Sequence, residues 1–438
     1  MWLPLVRRLI SVPVSSSELY RRQQLAIKQQ TDFGKAIVER ARKQSSVPLE
    51  DIDYSGFYKH KIFMCGAKNF HTTLTGVRCG ITNQISETIS CMAVGVRLGF
   101  KKFVLPKFCT NGDWGLCQCT RFEKASSVFD FEHMKETVKW MYGIDLMEEP
   151  VGIADYEIEE GFHLWNYTGY NLPVHQGAAI LHEIIQKEKP ERMLSTEYVN
   201  MGFSYGKWLV ETEAEQKMYL TLYNMFKPTA SIRKIVSDTK YKLTRMPKAE
   251  RLVVVHIQLA RTDEYAGCQR TTFIPMTKLI LEKLKIPTGS AVLLVGAGFE
   301  QKALEDFELS ELADKGIYVH IQPELLSISR ANQFPNSQIT LFLAFEADYF
   351  ISTTCESQFG SHIMRVRQMK GLSTCSTADV SQTAIPHIYP QEYMNHPTKV
   401  PYLFPTPIIG NVFGVDRCSD TFFSTVESVK RDLEFINH

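Results

Sequence analysis

Apolar residues along the chain come in two alternating forms: short unbroken runs of strand length, and longer stretches in which they recur every three or four positions. Lys61 to Gly66, Lys102 to Leu105 closed by Pro106, Leu252 to Ile257, Ala291 to Val295, Ile317 to Ile321 and Tyr349 to Ser352 are of the first kind. Between 83 and 98, Ile85, Ile89, Met92 and Val96 fall at i, i+4, i+7 and i+11, which predicts a helix with one apolar stripe that Gly99 terminates. Runs that are apolar throughout fit strands buried on both faces, so the alternation predicts βαβ units and parallel sheets with covered faces. This grammar occurs twice, and the basic, polar stretch from Phe226 to Glu250 between the two occurrences is read as the domain boundary. The expected organisation is a stem or peripheral helix over 1–55, an N-terminal α/β domain over 56–245, a C-terminal α/β domain over 246–412 and a docking helix over 413–438. Leu25, Phe33, Ile37 and Ala41 stand at near-helical spacing in the stem, a helix is expected to open near Pro275, and Phe422, Val426, Val429, Leu433 and Ile436 share a face at the end.

Composition narrows the function more than the fold. The 438 residues, 44% hydrophobic and 22% charged, suit two or three globular domains and exclude a disordered or fibrous chain. Lys plus Arg number 49 against 48 Asp plus Glu, so a net charge of +1 offers no field to hold a polyanion, and no nucleic-acid partner is expected. No run approaches the roughly 18 apolar residues of a membrane span. Two arginines, Arg7 and Arg8, interrupt the apolar start, so no clear secretion signal is read, although Asn166-Tyr167-Thr168 forms an acceptor sequon compatible with that route. Of ten cysteines only Cys109, Cys117 and Cys119 cluster. A zinc site lacks a fourth ligand there, while free thiols and a small disulfide loop around Asn111 and Gly112 both stay open.

In open α/β sheets ligands bind beyond the carboxyl ends of the strands, which makes polar residues just after apolar runs the first candidates. Three places qualify. Gly80-Ile81-Thr82-Asn83-Gln84 delivers Asn83 and Gln84 to a helix start, where exposed N–H groups favour an anion, although plain capping uses the same residue types. The run Val253-Val254-Val255 leads into His256, Ile257 and Gln258, then a loop with Arg261, Asp263 and Glu264; Arg261 offers a permanently charged fork suited to a diphosphate, whereas a satisfied interior histidine is the plain alternative. Asp348 and the strand after it empty into Thr353-Thr354-Cys355-Glu356-Ser357-Gln358, hydroxyls and amides suited to a phosphate or ribose, before a helix whose Phe359, Ile363 and Val366 share a face. Val295-Gly296-Ala297-Gly298 lacks the full dinucleotide fingerprint and reads as a strand-to-helix turn.

Taken together, Gly80 to Gln84 followed by Phe103-Val104-Leu105-Pro106, the segment Ser126 to His133 with its Phe129-Asp130 pair, Phe226-Lys227-Pro228 before Val253 to His256, and Ala347 to Ile351 with Ser357-Gln358 resemble the protein O-fucosyltransferase and α1,6-fucosyltransferase superfamily, including its plant branch. The resemblance runs from about residue 60 to 371. It implies a GT-B-like α/β fold of two facing Rossmann-like domains with the active site in the cleft between them. It further implies transfer of fucose from GDP-fucose to a hydroxyl of a protein or glycan acceptor, inverting, with no cofactor and no metal, in the Golgi or endoplasmic reticulum lumen. Asn83 matches an asparagine that reaches the donor, with Gly80 and Gln84 beside it. His256 matches the His of a His-x-Arg motif, and Asp348, Ser357 and Gln358 the region holding guanine and phosphates.

One position departs from the pattern. Where the family carries its catalytic arginine, two residues after the His, this chain has Gln258. A neutral amide cannot neutralise the charge growing on a departing diphosphate, and losing one preorganised donor costs about 3 kcal/mol. Arg261-Thr262-Asp263 resembles the Arg-Thr-Asp of the α1,6-type enzymes displaced by three residues, so Arg261 is the expected replacement, with Asp263 and Glu264 as candidate proton acceptors. A sugar-nucleotide-binding pseudoenzyme and a transferase of another deoxyhexose from a UDP-sugar are the alternatives.

Overall fold

The computed structural model describes residues 36, 38, 39, 43, 48, 51–65, 80–113, 118–148, 156–157, 174–188, 198–201, 213–245, 251–258, 288–297, 316, 318–321, 333–352, 358–369, 372 and 374–376. The stem spacing, the helix expected near Pro275 and the docking helix lie outside the described residues.

In chain order the strands are β1 (Ile62–Cys65), β2 (Lys102–Val104), β3 (Phe108–Asp113), β4 (Gln118–Glu123), β5 (Asp145–Met147), β6 (Tyr156–Glu157), β7 (Tyr198–Met201), β8 (Leu252–Gln258), β9 (Ala291–Ala297), β10 (Tyr318–Ile321), β11 (Tyr349–Ser352) and β12 (Thr374–Ser376). The longer helices are α1 (Ile81–Arg97), α2 (Phe131–Tyr142), α3 (Val174–Glu188), α4 (Glu213–Asn224), α5 (Ala230–Arg245), α6 (Gln333–Glu346) and α7 (Gln358–Met369). Two five-stranded sheets result, ordered β5-β2-β1-β7-β6 and β10-β9-β8-β11-β12, with β3 and β4 forming a separate hairpin. Every pair within the two large sheets is parallel. The continuous apolar runs explain this: Leu252 to Val255 and Ala291 to Val295 are buried, as strands covered on both faces must be.

Helix α1 exceeds the expectation of a single apolar stripe. All its residues but Ser86, Val96 and Arg97 are buried. One side lies against the first sheet, so closely at Gly95 that a Cβ there would stand 2.6 Å from both Phe103 and Phe63. Its other sides meet α3, α4 and α7, and that last contact ties the two halves of the chain together. The helix ends as predicted at Gly99, whose φ of +85° only glycine adopts without strain, with Ser55 Cα 2.6 Å from where a Cβ would be.

Much of the polar stretch that holds the expected boundary is helix α5, which ends at Arg245. Its buried Ile232, Val236, Thr239 and Leu243 are spaced i, i+4, i+7 and i+11 and pack toward α6 and β8, while the remaining faces carry mostly charged and polar residues, with Ile235 and Tyr241 also exposed. Just before it, Phe129-Asp130 and Phe226-Lys227-Pro228 meet. The Asp130 N–H donates to the Lys227 carbonyl at 2.9 Å, Phe129 and Phe226 lie edge to face at 5.1 Å, and Arg233 donates to Asp130 at 2.8 Å. Asp130 also caps α2 by accepting the His133 N–H at 3.2 Å. Through these contacts the motif residues hold α2, the end of α4 and the start of α5 together.

Candidate functional site

From β8 the second sheet grows outward on one side to β9 and β10, and the chain then returns to add β11 and β12 on the other side. The order therefore reverses between β8 and β11, and their carboxyl ends flank the crevice where α/β sheets take ligands. The register pairs His256 with Ser352 across that point. His256 is 4% exposed, and its ring lies 5.1 Å from Phe359 on α7. Burial pushes its pKa down to about 4, so the imidazole is neutral at physiological pH. Gln258 closes β8 opposite Ala297, and β9 continues through Val295 and Gly296 to Ala297 where a turn had been expected.

Helix α1 begins at Gly80, whose backbone is extended, and no side chain caps it. Thr82 and Asn83 thus lie inside the first turn, and both are buried. The Asn83 and Gln84 N–H groups donate to the Gly80 carbonyl at 3.0 and 3.2 Å. Gln84, the other expected contact of this turn, is 1% exposed. Its side chain turns into the core, accepts the Cys109 N–H at 2.7 Å and donates to the Cys109 carbonyl at 3.1 Å. With both ends of the amide engaged by one backbone unit, Gln84 pins the hairpin strand β3 to α1. Cys109 is disulfide-bonded, and so is Cys91 within α1.

Asn83 and His256, candidates from different halves, are related through neighbouring residues of α1 and α7. His256 packs on Phe359, and His362 stands three residues further along the same face of α7. His362 is buried with its Nδ1 3.5 Å from the Ser86 hydroxyl, and Ser86 is three residues beyond Asn83. Tyr223 from α4 and Phe345 from α6 flank His362 at ring distances of 5.2 and 6.1 Å. Neither Ser86 nor His362 stood out in the sequence; the only signal was that His362 adjoins Ile363 on the expected buried face.

Asp348 does not join this group. It precedes β11, accepts the Leu252 N–H at 2.8 Å and pairs with Arg251 at 3.1 Å, so it lies at the amino edge of the sheet, opposite the crevice. Its role there is to tie the starts of β8 and β11 together. Gln358 opens α7 just after β11, at the carboxyl edge. Arg261, Asp263, Glu264, Thr353, Thr354 and Ser357 lie outside the described residues. No group of three or more His, Cys, Asp or Glu placed to hold a metal occurs among the described residues, and no helix among them is long and apolar enough to cross a membrane.

No protein-family model matches the chain, and no curated protein sequence does. Among solved structures, the fold is similar to POFUT1 in complex with GDP, with a TM-score of 0.43 and 12% identity over 73% of this chain and 98% of that one. It is also similar to the fucosyltransferase NodZ from Bradyrhizobium, with a TM-score of 0.42 and 14% identity over 71% of this chain and 92% of that one.

Proposed function

We propose that the protein is a glycosyltransferase that moves fucose from GDP-fucose to a hydroxyl of a protein or glycan acceptor, with inversion and without a metal ion, in a cleft between two facing α/β domains. The observation that carries this reading is the pairing of His256 with Ser352 where the second sheet reverses, with the Gly80–Asn83 turn linked to it through Ser86 and His362. A strand-order reversal is where such sheets hold nucleotides, and the motif resemblance supplies guanine and fucose.

Chemistry divides the roles. A neutral His256 can hydrogen-bond a sugar or phosphate oxygen but cannot balance the charge on departing GDP. That duty falls to a permanent cation, for which Arg261, just beyond β8, is the assignment. The acceptor oxygen forms its bond to the anomeric carbon from the face opposite the diphosphate, the bond from that carbon to the phosphate oxygen breaks, and its electron pair leaves with GDP. Disulfide-bonded Cys91 and Cys109 support an oxidising, secretory compartment.

Calorimetric and melting titrations with GDP and UDP, followed by GDP-fucose turnover, test the reading. GDP at ~100 times its Kd is expected to stabilise the fold by about 2.7 kcal/mol, UDP measurably less, and GDP-fucose is expected to release GDP. Equal responses to GDP and UDP would defeat the guanine assignment and favour a UDP-sugar donor. Gln258 in place of an arginine favours one second reading, a GDP-sugar-binding pseudoenzyme, which predicts the GDP response with no turnover.

A further inference from the structure

Helix α1 turns one face toward the second half of the chain, and Ser86 stands on it. Gly95, pressed against Phe63 and Phe103, marks the side of α1 that lies on the first sheet. Ser86 comes nine residues earlier, so at 3.6 residues per turn it faces about 180° away from that side. The group it meets belongs to α7. His362 brings Nδ1 within 3.5 Å of the Ser86 hydroxyl across 276 positions of sequence, and it is 5% exposed. Its ring packs on Tyr223 of α4, from the first half, and on Phe345 of α6, from its own half. His362 is thus a peg from the second half seated in the first, where α7 meets both α1 and α4.

The peg lies about one helical turn from each side of the candidate site. Ser86 is three residues, or about 4.5 Å along the axis, beyond Asn83. His362 is three residues beyond Phe359, whose ring lies 5.1 Å from His256, and it follows Gln358 in the first turns of α7. A shift of α7 against α1 at this contact therefore moves Gln358 and Phe359 relative to Asn83. Packed rings tolerate some sliding, whereas a hydrogen bond fixes both a distance and a direction. The halves are also held at a second place, since Gln338 of α6, 2% exposed, donates to the Val128 carbonyl at 2.6 Å. Removing the Ser86–His362 contact leaves them joined there and loosens their register near the site.

We propose that His362 is a positioning residue: through Ser86 it holds the Gly80–Asn83 turn and the start of α7 at the spacing that accepts the nucleotide sugar. The inference rests on the sugar-transfer reading above. Without the hydrogen bond, other spacings of α1 and α7 become populated, and the apparent affinity falls in proportion to the competent fraction. A chain that has bound its donor has already taken the right spacing, so turnover at saturation is unchanged.

The test compares the full wild-type chain with Ser86→Ala, His362→Phe and the double variant, using GDP-fucose as donor, water as acceptor and GDP as the calorimetric ligand. His362→Phe keeps a ring against Tyr223 and Phe345. It is expected to raise the KM for GDP-fucose and the Kd for GDP about two- to tenfold, the net worth of one hydrogen bond, with kcat held within about twofold. Ser86→Ala is expected to do the same, and the double variant to be no worse than His362→Phe, because both changes remove one contact. A lower melting temperature with KM and Kd unmoved is what a purely structural histidine gives, and it overturns the proposal. So does a further loss when Ser86→Ala is added to His362→Phe, or a fall in kcat matching the rise in KM. Ser86→Ala against wild type carries the test if His362→Phe does not fold, and the GDP Kd carries it if the wild type binds GDP without turnover. A wild-type chain that binds no GDP overturns the parent reading, and this inference with it.

Discussion

Replacing Arg367 by Leu is expected to cost about 4 kcal/mol or more of folding stability, read as a lower denaturation midpoint at unchanged m-value. Arg367 is fully buried on α7. Its guanidinium donates to the carbonyls of Ala344 at 2.8 Å, Phe345 at 3.3 Å, Ala347 at 2.7 Å and Asp348 at 3.1 Å. These are carbonyls at the carboxyl end of α6 and the turn into β11, which no helix can satisfy by itself and where the helix dipole favours a cation. Burial pushes the guanidinium pKa down to about 10, with the charge of Asp348 opposing the fall, so the cation persists at neutral pH. Leucine fills part of the volume but leaves these acceptors unmet at about 1 to 3 kcal/mol each where water cannot reach. The damage falls on the segment that places β11, so GDP affinity should decline with stability. A loss below about 1 kcal/mol would mean that water replaces the guanidinium.

Acid should destabilise the protein through His256. Its pKa is about 4 when folded against 6.5 for the free side chain, so between those values the unfolded chain binds the proton that the fold refuses. Stability is then unaffected above about pH 6.5 and falls as pH drops toward 4, by up to about 1.4 kcal/mol per unit and about 2 to 3 kcal/mol in all by pH 4.5. Denaturation of the wild type and His256→Gln at pH 7 and 4.5 isolates this share, since other groups titrate in both. The acid loss should be smaller in the variant by that amount; equal losses would show that His256 reaches water.

The fold was legible where one physical requirement dominated. A strand buried on both faces must be apolar throughout, so Leu252 to Ile257 and Tyr349 to Ser352 marked themselves. Helix α5 was misread because its polar faces outweighed a stripe, Ile232 to Leu243, with the same spacing that identified α1. At the site, residue type alone could not separate ligand contacts from fold contacts. Gln84 and Asp348 are polar residues beside apolar runs, as binding residues would be, yet their partners are backbone groups 25 and 96 positions away. Ser86 and His362, which connect the halves, are 276 positions apart and carry no local signature. The resemblance motifs at Phe129-Asp130 and Phe226-Lys227-Pro228 meet one another within the first half, so they speak for the fold more than for the chemistry.

Hydrogen exchange with and without saturating GDP tests most directly whether the nucleotide occupies the crevice at the carboxyl edges. Added protection is expected at the end of β8, Ile257 and Gln258, and at the amino-terminal turn of α7. Little change is predicted at the amino edge around Arg251, Leu252 and Asp348. Protection confined to that amino edge, or none anywhere under saturation, would contradict it.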